Sequence, residues 1–488
     1  MNRVKKLVIV GGGTAGWIAA SWFSKRWGQL LDVTIIDKSQ PDRVGVGEAT
    51  LLSFPDVMEK LGYKVSDWIN PIDGTYKAGI LFPGWGKEDN TIWHPFGFTS
   101  VGDEKVPMYD LWSNYQDQYD IKDISPLFRS SQQGKIELDY VKDTYAYQID
   151  CGKLVRFLQL NHRCEYIQSD VKRVVKNGDD IEKLVLEDGS EIVGDLYIDC
   201  TGWKQLLIGD DNIDFSDRLF IDAALAGRVK YENDKEQHPY TACPAQEHGW
   251  IWKIPTRSRI GTGYCFNKSI TDPDVVADAF VKHWDNRISK DELKLLDWKP
   301  QRVRKFWKGN VVSIGLSAGF IEPLESTGLA LMIRGCEYLE ECMYACVYNP
   351  HYEPDVYNVR MKVAFESAVD YITMHYTYSQ REGKFWDYVR QNVKKPGMQE
   401  FMEGQINDPT EVTFQNDRTS SFFGGSNWHV WLLQLMPEVV PKQYWRSLSP
   451  DIMPRFQNYI NILDNNVLDA TPQKILLKEW YGQKNSMV

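Results

Sequence analysis

No stretch of this 488-residue chain approaches the roughly 20 consecutive apolar residues that a membrane-spanning helix needs, so a spanning protein is not expected. Positive charge is in short supply too. Lysine and arginine number 56 against 67 aspartates and glutamates, a formal net charge of −11, which argues against a nucleic-acid backbone or an anionic membrane surface as partner. Cysteine is sparse, with 8 residues and no CxxC pair, which reads as reduced thiols in a cytoplasm. Cys342 and Cys346 share a helical face without a nearby histidine, so no metal is expected. The opening MNRVKKLVIV is basic, but it runs into glycines without a small-residue cleavage site and reads as a strand rather than a leader. Repeats, low-complexity tracts and clear linkers are also missing. What remains is a globular composition, 43% hydrophobic and 25% charged, long enough for two or three tightly fused lobes. Aromatics are plentiful (18 Trp, 25 Tyr, 20 Phe), and they suit either a pocket for flat apolar molecules or plain core packing.

The apolar run Lys6–Val10, the glycines after it, the segment Thr14–Trp27 and a second apolar run Asp32–Ile36 predict strand, turn, amphipathic helix and strand in succession. Gly11-Gly12-Gly13-Thr14-Ala15-Gly16 lies at the strand-to-helix turn. Gly11 permits the tight turn, Gly13 lets backbone approach a pyrophosphate, and Gly16 lets the helix pack on the strand, while Thr14 and Ala15 open a helix whose dipole favours an anion. Asp37 follows Gly16 at about the 20-residue spacing of an acid that holds a ribose diol. A glycine-rich turn that binds nothing would explain neither the acid nor its spacing. The motif alone does not separate NAD from FAD.

Two more strand-then-turn segments follow, Asp195–Gly202 and Gly309–Gly315, and glycines there let backbone amides approach a flat cofactor. Strands are also predicted at Glu165–Ser169, Leu196–Cys200 and Val311–Ile314, helices at Lys153–Asn161 and Ser326–Tyr348, and hairpin turns at Asn177–Gly178 and Asp188–Gly189. A second sheet is expected between about 215 and 270. The order resembles the FAD-binding fold of aromatic hydroxylases: an α/β, Rossmann-like domain with an inserted antiparallel sheet and a mainly helical C-terminal substrate region. The expected division is a core over 1–350 and a helical region over 351–488 that completes and covers a substrate pocket. No second fingerprint serves a nicotinamide donor, so either a transient NAD(P)H site exists or another protein supplies reduced flavin.

Five segments carry a closer resemblance. Gly249-Trp250-Ile-Trp252-Lys-Ile-Pro255 and Gly319-Phe-Ile-Glu-Pro323-Leu-Glu325-Ser326-Thr327-Gly328 are similar to the WxWxIP and PLEST-type signatures of the tryptophan halogenase family. Val46-Gly47-Glu48-Ala49-Thr50, Thr75-Tyr-Lys77-Ala-Gly and His94-Pro95-Phe96-Gly97 fall in the same family's order. The resemblance spans most of the first 390 residues. It implies FAD, as FADH2, together with O2 and a halide (chloride, bromide or iodide) that becomes hypohalous acid. It also implies a separate NAD(P)H flavin reductase and a small aromatic substrate, and it leaves room for a homo-oligomer.

By that resemblance Lys77 and Glu325 are catalytic. Lys77 stands among apolar neighbours, where an ammonium is costly. It could donate a hydrogen bond to hypohalous acid or, with a lowered pKa, form a haloamine. Glu325 would polarise the oxidant or take the ring proton. Each alone would sooner be half of an ordinary ion pair. Thr327 and Gly328 open a long helix whose capped N-terminus leaves amides for a halide, although a cap without an anion is the plain alternative. Trp250 and Trp252 alternate on a strand and so share a face, where they would wall off the flavin or merely pack a core. His94, Pro95 and Phe96 are implied to line the substrate pocket, with imidazole and phenyl orienting the ring. Glu48, Ala49, Gly315 and Leu316 are implied to contact the cofactor.

Two departures matter. Gly315 precedes Leu316 where related hydroxylases hold Asp, which disfavours the alternative of an FAD-dependent aromatic monooxygenase. Residues 417–436, with Phe422, Phe423, Gly424, Gly425, Trp428 and Trp431, follow a different pattern from the aromatic and acidic lid of tryptophan-specific members. A small indole or phenol is therefore expected rather than free tryptophan.

Overall fold

A computed structural model describes residues 4–38, 47–87, 90–96, 118–137, 145–348, 354–395, 422–423, 425–435, 454, 457–458, 460–461, 467 and 469–485. Val46, Gly97 and Gly424 lie outside the described residues.

Short apolar runs build a six-stranded sheet in the order Trp307–Lys308, Val311–Ser313, Leu196–Asp199, Lys6–Val10, Asp32–Ile36, Glu165–Ile167. All neighbours are parallel except the first pair. Val10 is in register with both Ile36 and Asp199, so three strand ends arrive together beneath the glycine turn. The helix Thr14–Arg26 was expected to be amphipathic, but Ala15 through Ser24 are all buried. The helices Cys151–Leu160 and Thr327–Tyr348 cover it in addition to the sheet, which suits its many small and apolar residues. The helix predicted from Lys153 begins two residues earlier, because Asp150 accepts a hydrogen bond from the Lys153 amide at 3.0 Å and caps it.

The expected second sheet is larger than the segment 215–270. Eight strands run through Lys294–Asp297, Ala223–Val229, Ile260–Phe266, Gly249–Pro255, Thr241–Ala242, Gly79–Pro83 and Thr91–Pro95, with Ala245–Gln246 paired to Gly249–Pro255. The strand Gly79–Pro83 therefore carries residues from early in the chain into a sheet made mostly of later ones. A three-stranded sheet places Ala146–Ile149 between Glu48–Ala49 and Thr75–Lys77. The helix Asp355–Tyr378 packs along Thr327–Tyr348 and turns its last two buried turns toward the same region. A large apolar core runs from Leu7 to Leu477, and a smaller cluster, which includes Leu225, Ile251, Tyr264 and Phe280, packs the helix Pro273–His283 onto the other side of the large sheet. Among the described residues no helix is long and apolar enough to cross a membrane.

Candidate active site

The glycine turn opens on a cavity of about 660 Å³ lined by Gly11 to Ala15, Asp37, Thr201, Gly202, Leu316 and Met332. Its glycines answer to distinct demands. Gly11 has φ +103°, and a Cβ there would lie 2.3 Å from the Cys200 carbonyl oxygen. A Cβ on Gly16 would lie 1.8 Å from the Gly11 carbonyl oxygen, so helix and strand meet only over glycine. Gly13 has nothing within 4 Å of where its side chain would stand, which leaves its backbone open to a ligand. Asp37 closes the cavity at the end of its strand. An open backbone face, a helix N-terminus and an acid at the lip fit the pyrophosphate and ribose of a dinucleotide such as FAD.

A second cavity, of about 500 Å³, begins where the first ends, since Leu316 lines both. Gly315 sets the turn between them with φ +81°; a Cβ there would lie 2.5 Å from that of Ala15. Its walls include Glu48, Ala49, Cys243, Trp250, Trp252, Glu325, Ser326 and Gly328. The two indoles do share a face, with ring centroids 6.3 Å apart. Trp250 Nε1 donates to the Tyr376 hydroxyl at 2.9 Å, and that hydroxyl donates to Glu322 at 2.5 Å. Burial lifts the Glu322 pKa to about 8.

The cap expected from Ser326 or Thr327 is arranged differently. The Ser326 hydroxyl accepts from Lys77, and the Thr327 hydroxyl donates to the Glu322 carbonyl oxygen at 3.4 Å. The Glu48 carboxylate instead accepts from the Leu329 amide and from the Cys151 thiol at 2.7 Å. Burial raises the pKa of Glu48, and those two donors oppose the rise. A Cβ on Gly328 would stand 3.6 Å from that carboxylate, so Glu48, Thr327 and Gly328 meet at one helix end.

Lys77 is completely buried. Its Nζ donates to the Thr50 carbonyl oxygen at 3.0 Å and to Ser326 Oγ at 2.9 Å, and it lies 4.7 Å from the centre of the Phe96 ring. Burial lowers its pKa to about 7 against the upward pull of Glu325 and Cys243. Glu325, buried and next in sequence to the Ser326 that Lys77 contacts, has φ +60°, and so does Ser326. Two consecutive non-glycine residues in the left-handed region cost on the order of 1–3 kcal/mol each and persist only where surroundings enforce them. The enforcing contacts are visible. His94 Nδ1 lies 3.0 Å from both Glu325 oxygens, His375 Nε2 lies 2.8 Å from Oε1, and Trp431 Nε1 donates to Oε1 at 3.3 Å. Burial alone would raise the Glu325 pKa, but His94 and His375 together hold it well below the usual carboxylate range.

The early Lys77, His94 and Phe96 thus gather near the late Glu325, while Pro95, partly buried, ends the strand Thr91–Pro95 that carries His94. His94 is pinned at both nitrogens, since Nε2 lies 2.9 Å from Asn427 Oδ1. Sequence reasoning missed His375, Tyr376, Asn427, Glu322 and Cys243, and it took Trp431 for part of a cover. His375 sits in an apolar helical stretch, ITMHYTY, where a lone histidine looks like core; only its burial exposes the need for a polar partner.

A glycine-turn cradle joined through Leu316 to an indole-walled chamber that reaches Glu325 and Ser326, the partner of buried Lys77, is an arrangement that suits a dinucleotide-dependent oxidoreductase such as a flavoenzyme. The comparisons make this specific. The tryptophan halogenase family profile matches residues 6–449, and the chain belongs to that family. It is 29% identical to the tryptophan 6-halogenase SttH of Streptomyces toxytricini over 82% of this chain and 83% of that one. It is 28% identical to the tryptophan 7-halogenase RebH of Lentzea aerocolonigenes over 90% and 91%. Its fold superposes on Xcc4156, a flavin-dependent halogenase from Xanthomonas campestris, with a TM-score of 0.85 at 27% identity, covering 98% of this chain and 99% of the other. The protein is a flavin-dependent halogenase, an enzyme that needs reduced flavin.

Proposed function

We propose that reduced FAD and O2 supply the oxidising equivalents that turn a halide into hypohalous acid, which Lys77 and Glu325 direct onto an electron-rich, indole- or phenol-type ring. Gly11, Gly13, Thr14, Ala15, Gly16 and Asp37 would hold the adenine dinucleotide half, and Glu48, Ala49, Gly315 and Leu316 the ring end. Thr327 and Gly328 would hold the halide. The carrying observation is the fully buried Lys77 ammonium, one hydrogen bond from Ser326 and so next to Glu325, at the edge of the chamber that Trp250 and Trp252 wall.

The chemistry asked of each side chain is limited. The indoles keep the organic ring away from the flavin end, which excludes direct oxygen transfer. Protonated Lys77 donates to the oxygen of hypohalous acid and leaves the halogen facing a ring held by His94, Pro95 and Phe96. As the carbon–halogen bond forms, the oxygen–halogen bond breaks and the departing hydroxide takes a proton from Lys77 to leave as water. Glu325 then accepts the ring proton, which restores aromaticity. A carboxylate with a depressed pKa is a weak base, but a protonated arene is a strong acid, so a weak base suffices. Residues 351–488 would complete the pocket, since His375, Asn427 and Trp431 already reach Glu325 or His94. A separate NAD(P)H flavin reductase would deliver FADH2, in a cytoplasmic setting.

Mass spectrometry of an aromatic library incubated with enzyme, flavin reductase, NADH, FAD and each halide separately tests this. Halogen isotope patterns are expected with wild type and not with Lys77→Ala. Products carrying oxygen without halogen would overturn the reading.

A further inference from the structure

The steps above leave His375 without a role, although it is as buried as Glu325. It sits on the helix Asp355–Tyr378 with Nδ1 2.8 Å from the Tyr371 carbonyl oxygen, one turn earlier, and Nε2 2.8 Å from Glu325 Oε1. A carbonyl oxygen can only accept, so Nδ1 carries a hydrogen. An ionised carboxylate oxygen can also only accept. A neutral imidazole protonated at Nδ1 would therefore aim its lone pair at a negative oxygen inside a fully buried site. One additional proton on the line from Nε2 to Oε1 removes that conflict and turns it into a charge-assisted hydrogen bond.

We propose that His375 is an imidazolium at neutral pH and a positioning residue for Glu325: it keeps the carboxylate ionised and oriented to receive the ring proton. This rests on the assignment of Glu325 as the proton acceptor. Other groups face the pair from every side. His94 comes from the strand Thr91–Pro95, Tyr371 from the same helix as His375, and Trp431 from the helix Gly425–Leu435. Lys77 and Glu325 act on each other through charge, and burial together with the Glu325 charge raises the pKa of the neighbouring Cys243 thiol. Burial, the largest influence, and the neighbouring His94 pull the proton affinity of His375 down, on balance below that of a free imidazole, while Glu325 and the Tyr371 carbonyl pull it up. Two acceptors facing two ring nitrogens decide for retention of the proton. The tether to Tyr371 also fixes the ring plane, so the imidazolium cannot swing away and leave Glu325 free to turn.

Glu325 loses a cationic partner in His375→Gln. The acid limb of its kcat profile is then expected to move to higher pH by about 1–3 units, the shift a neighbouring opposite charge produces on a carboxylate. FAD binding and KM should stay near wild type, because His375 touches neither. A merely structural role would lower kcat or stability without moving the limb. The second measurement needs no turnover. Nitrogen-15 histidine spectra of the full-length, FAD-loaded enzyme, with His375 assigned by the signal lost in His375→Gln, should show both ring nitrogens protonated at neutral pH, and Glu325→Gln should return His375 to the neutral form. A neutral imidazole in wild type, or an unmoved acid limb, overturns the proposal. If His375→Gln does not fold, the histidine signal that changes between wild type and Glu325→Gln and persists in His94→Gln assigns His375, and the comparison of wild type with Glu325→Gln still decides it. Halogenation retained by Glu325→Gln would sink the base assignment itself and leave the spectrum of His375 untouched, so the two failures are distinguishable.

Discussion

The glycine cradle proposed to hold FAD and the cluster around Glu325 are assembled in opposite ways. The cradle is local: its turn, helix and acid come from one βαβ unit, and the steric demands on Gly11 and Gly16 arise from backbone within that unit or the adjoining strand. The cluster is remote. Lys77, His94, Glu325, His375 and Trp431 come from five elements, and Glu325 and Ser326 hold left-handed backbone while their polar heads are buried. Where neighbouring backbone dictates geometry, folding and binding ask for the same residue. Where charges are forced together under a core, function is held against the stability of the site.

The sharpest way to break that contrast is at the charges. Glu325→Gln is expected to lower kcat by about 10²–10⁴-fold, the usual worth of a positioned acid or base, with FAD affinity unchanged. Lys77→Met should lose halogenated product as completely and yet raise stability. A pKa drawn from 10.5 to about 7 corresponds to on the order of 5 kcal/mol against the buried ammonium. The sign follows from linkage. Near pH 7 the unfolded lysine is fully protonated and the folded one only partly, so the unfolded state binds more protons and stability rises with pH until the unfolded lysine also deprotonates near 10.5. The gain from Lys77→Met, read by urea melts, should therefore shrink as pH rises across that window. A less stable Lys77→Met would show that the lysine helps to hold the fold.

The cradle yields the opposite outcome, and two of its glycines separate folding from binding. Gly16→Val should destabilise the protein by several kcal/mol or prevent folding, because its side chain would start 1.8 Å from a backbone oxygen. Gly13→Val meets open space and should melt like wild type, while FAD affinity, followed by fluorescence quenching, falls at least about tenfold. Normal flavin binding by Gly13→Val would remove the pyrophosphate argument.

This contrast also decides what was legible beforehand. The cradle, the parallel strands and the paired indoles follow from periodicity and from glycine and tryptophan spacing, which are local quantities. The amphipathic reading of Thr14–Trp27 failed because two helices distant in sequence bury the outer face of the helix Thr14–Arg26. The Glu325 cluster had one legible half: Lys77 could be suspected from its apolar neighbours, whereas the partners of Glu325 depend on the Asp355–Tyr378 and Gly425–Leu435 helices docking onto it. Glu48 at the head of the Thr327–Tyr348 helix was hidden for the same reason, since it reaches across from a separate sheet.

Lys77 also sets an expected pH limb. With its pKa about 7, the ammonium form that the proposed mechanism requires is lost above neutrality, so on that mechanism kcat should fall about tenfold per pH unit there. A rate that climbs through the same region would make the free amine the reacting form and favour a haloamine. Lys77→Arg, whose guanidinium stays protonated throughout this range, should flatten the limb in whatever activity it retains, which ties the limb to this residue rather than to the flavin.

The smallest effect concerns the wall between the two regions. Trp250 is anchored by Tyr376, whose hydroxyl takes the indole hydrogen and passes its own to Glu322. Tyr376→Phe leaves a buried indole N–H unpaired, a loss of about 1–3 kcal/mol that thermal melts should register, with flavin affinity unchanged. If the indoles do separate flavin from substrate, loosening one of them should divert a fraction of turnover into products oxidised without halogen. Glu322→Gln probes the same chain from its far end. The Glu322 pKa is raised by burial from 4.5 to about 8, so the wild-type protein loses stability as pH rises through that interval, and the glutamine variant should not. Equal pH dependence in both proteins would mean that the Glu322 carboxyl is reached by solvent, and the wall would then be supported by the strand alone.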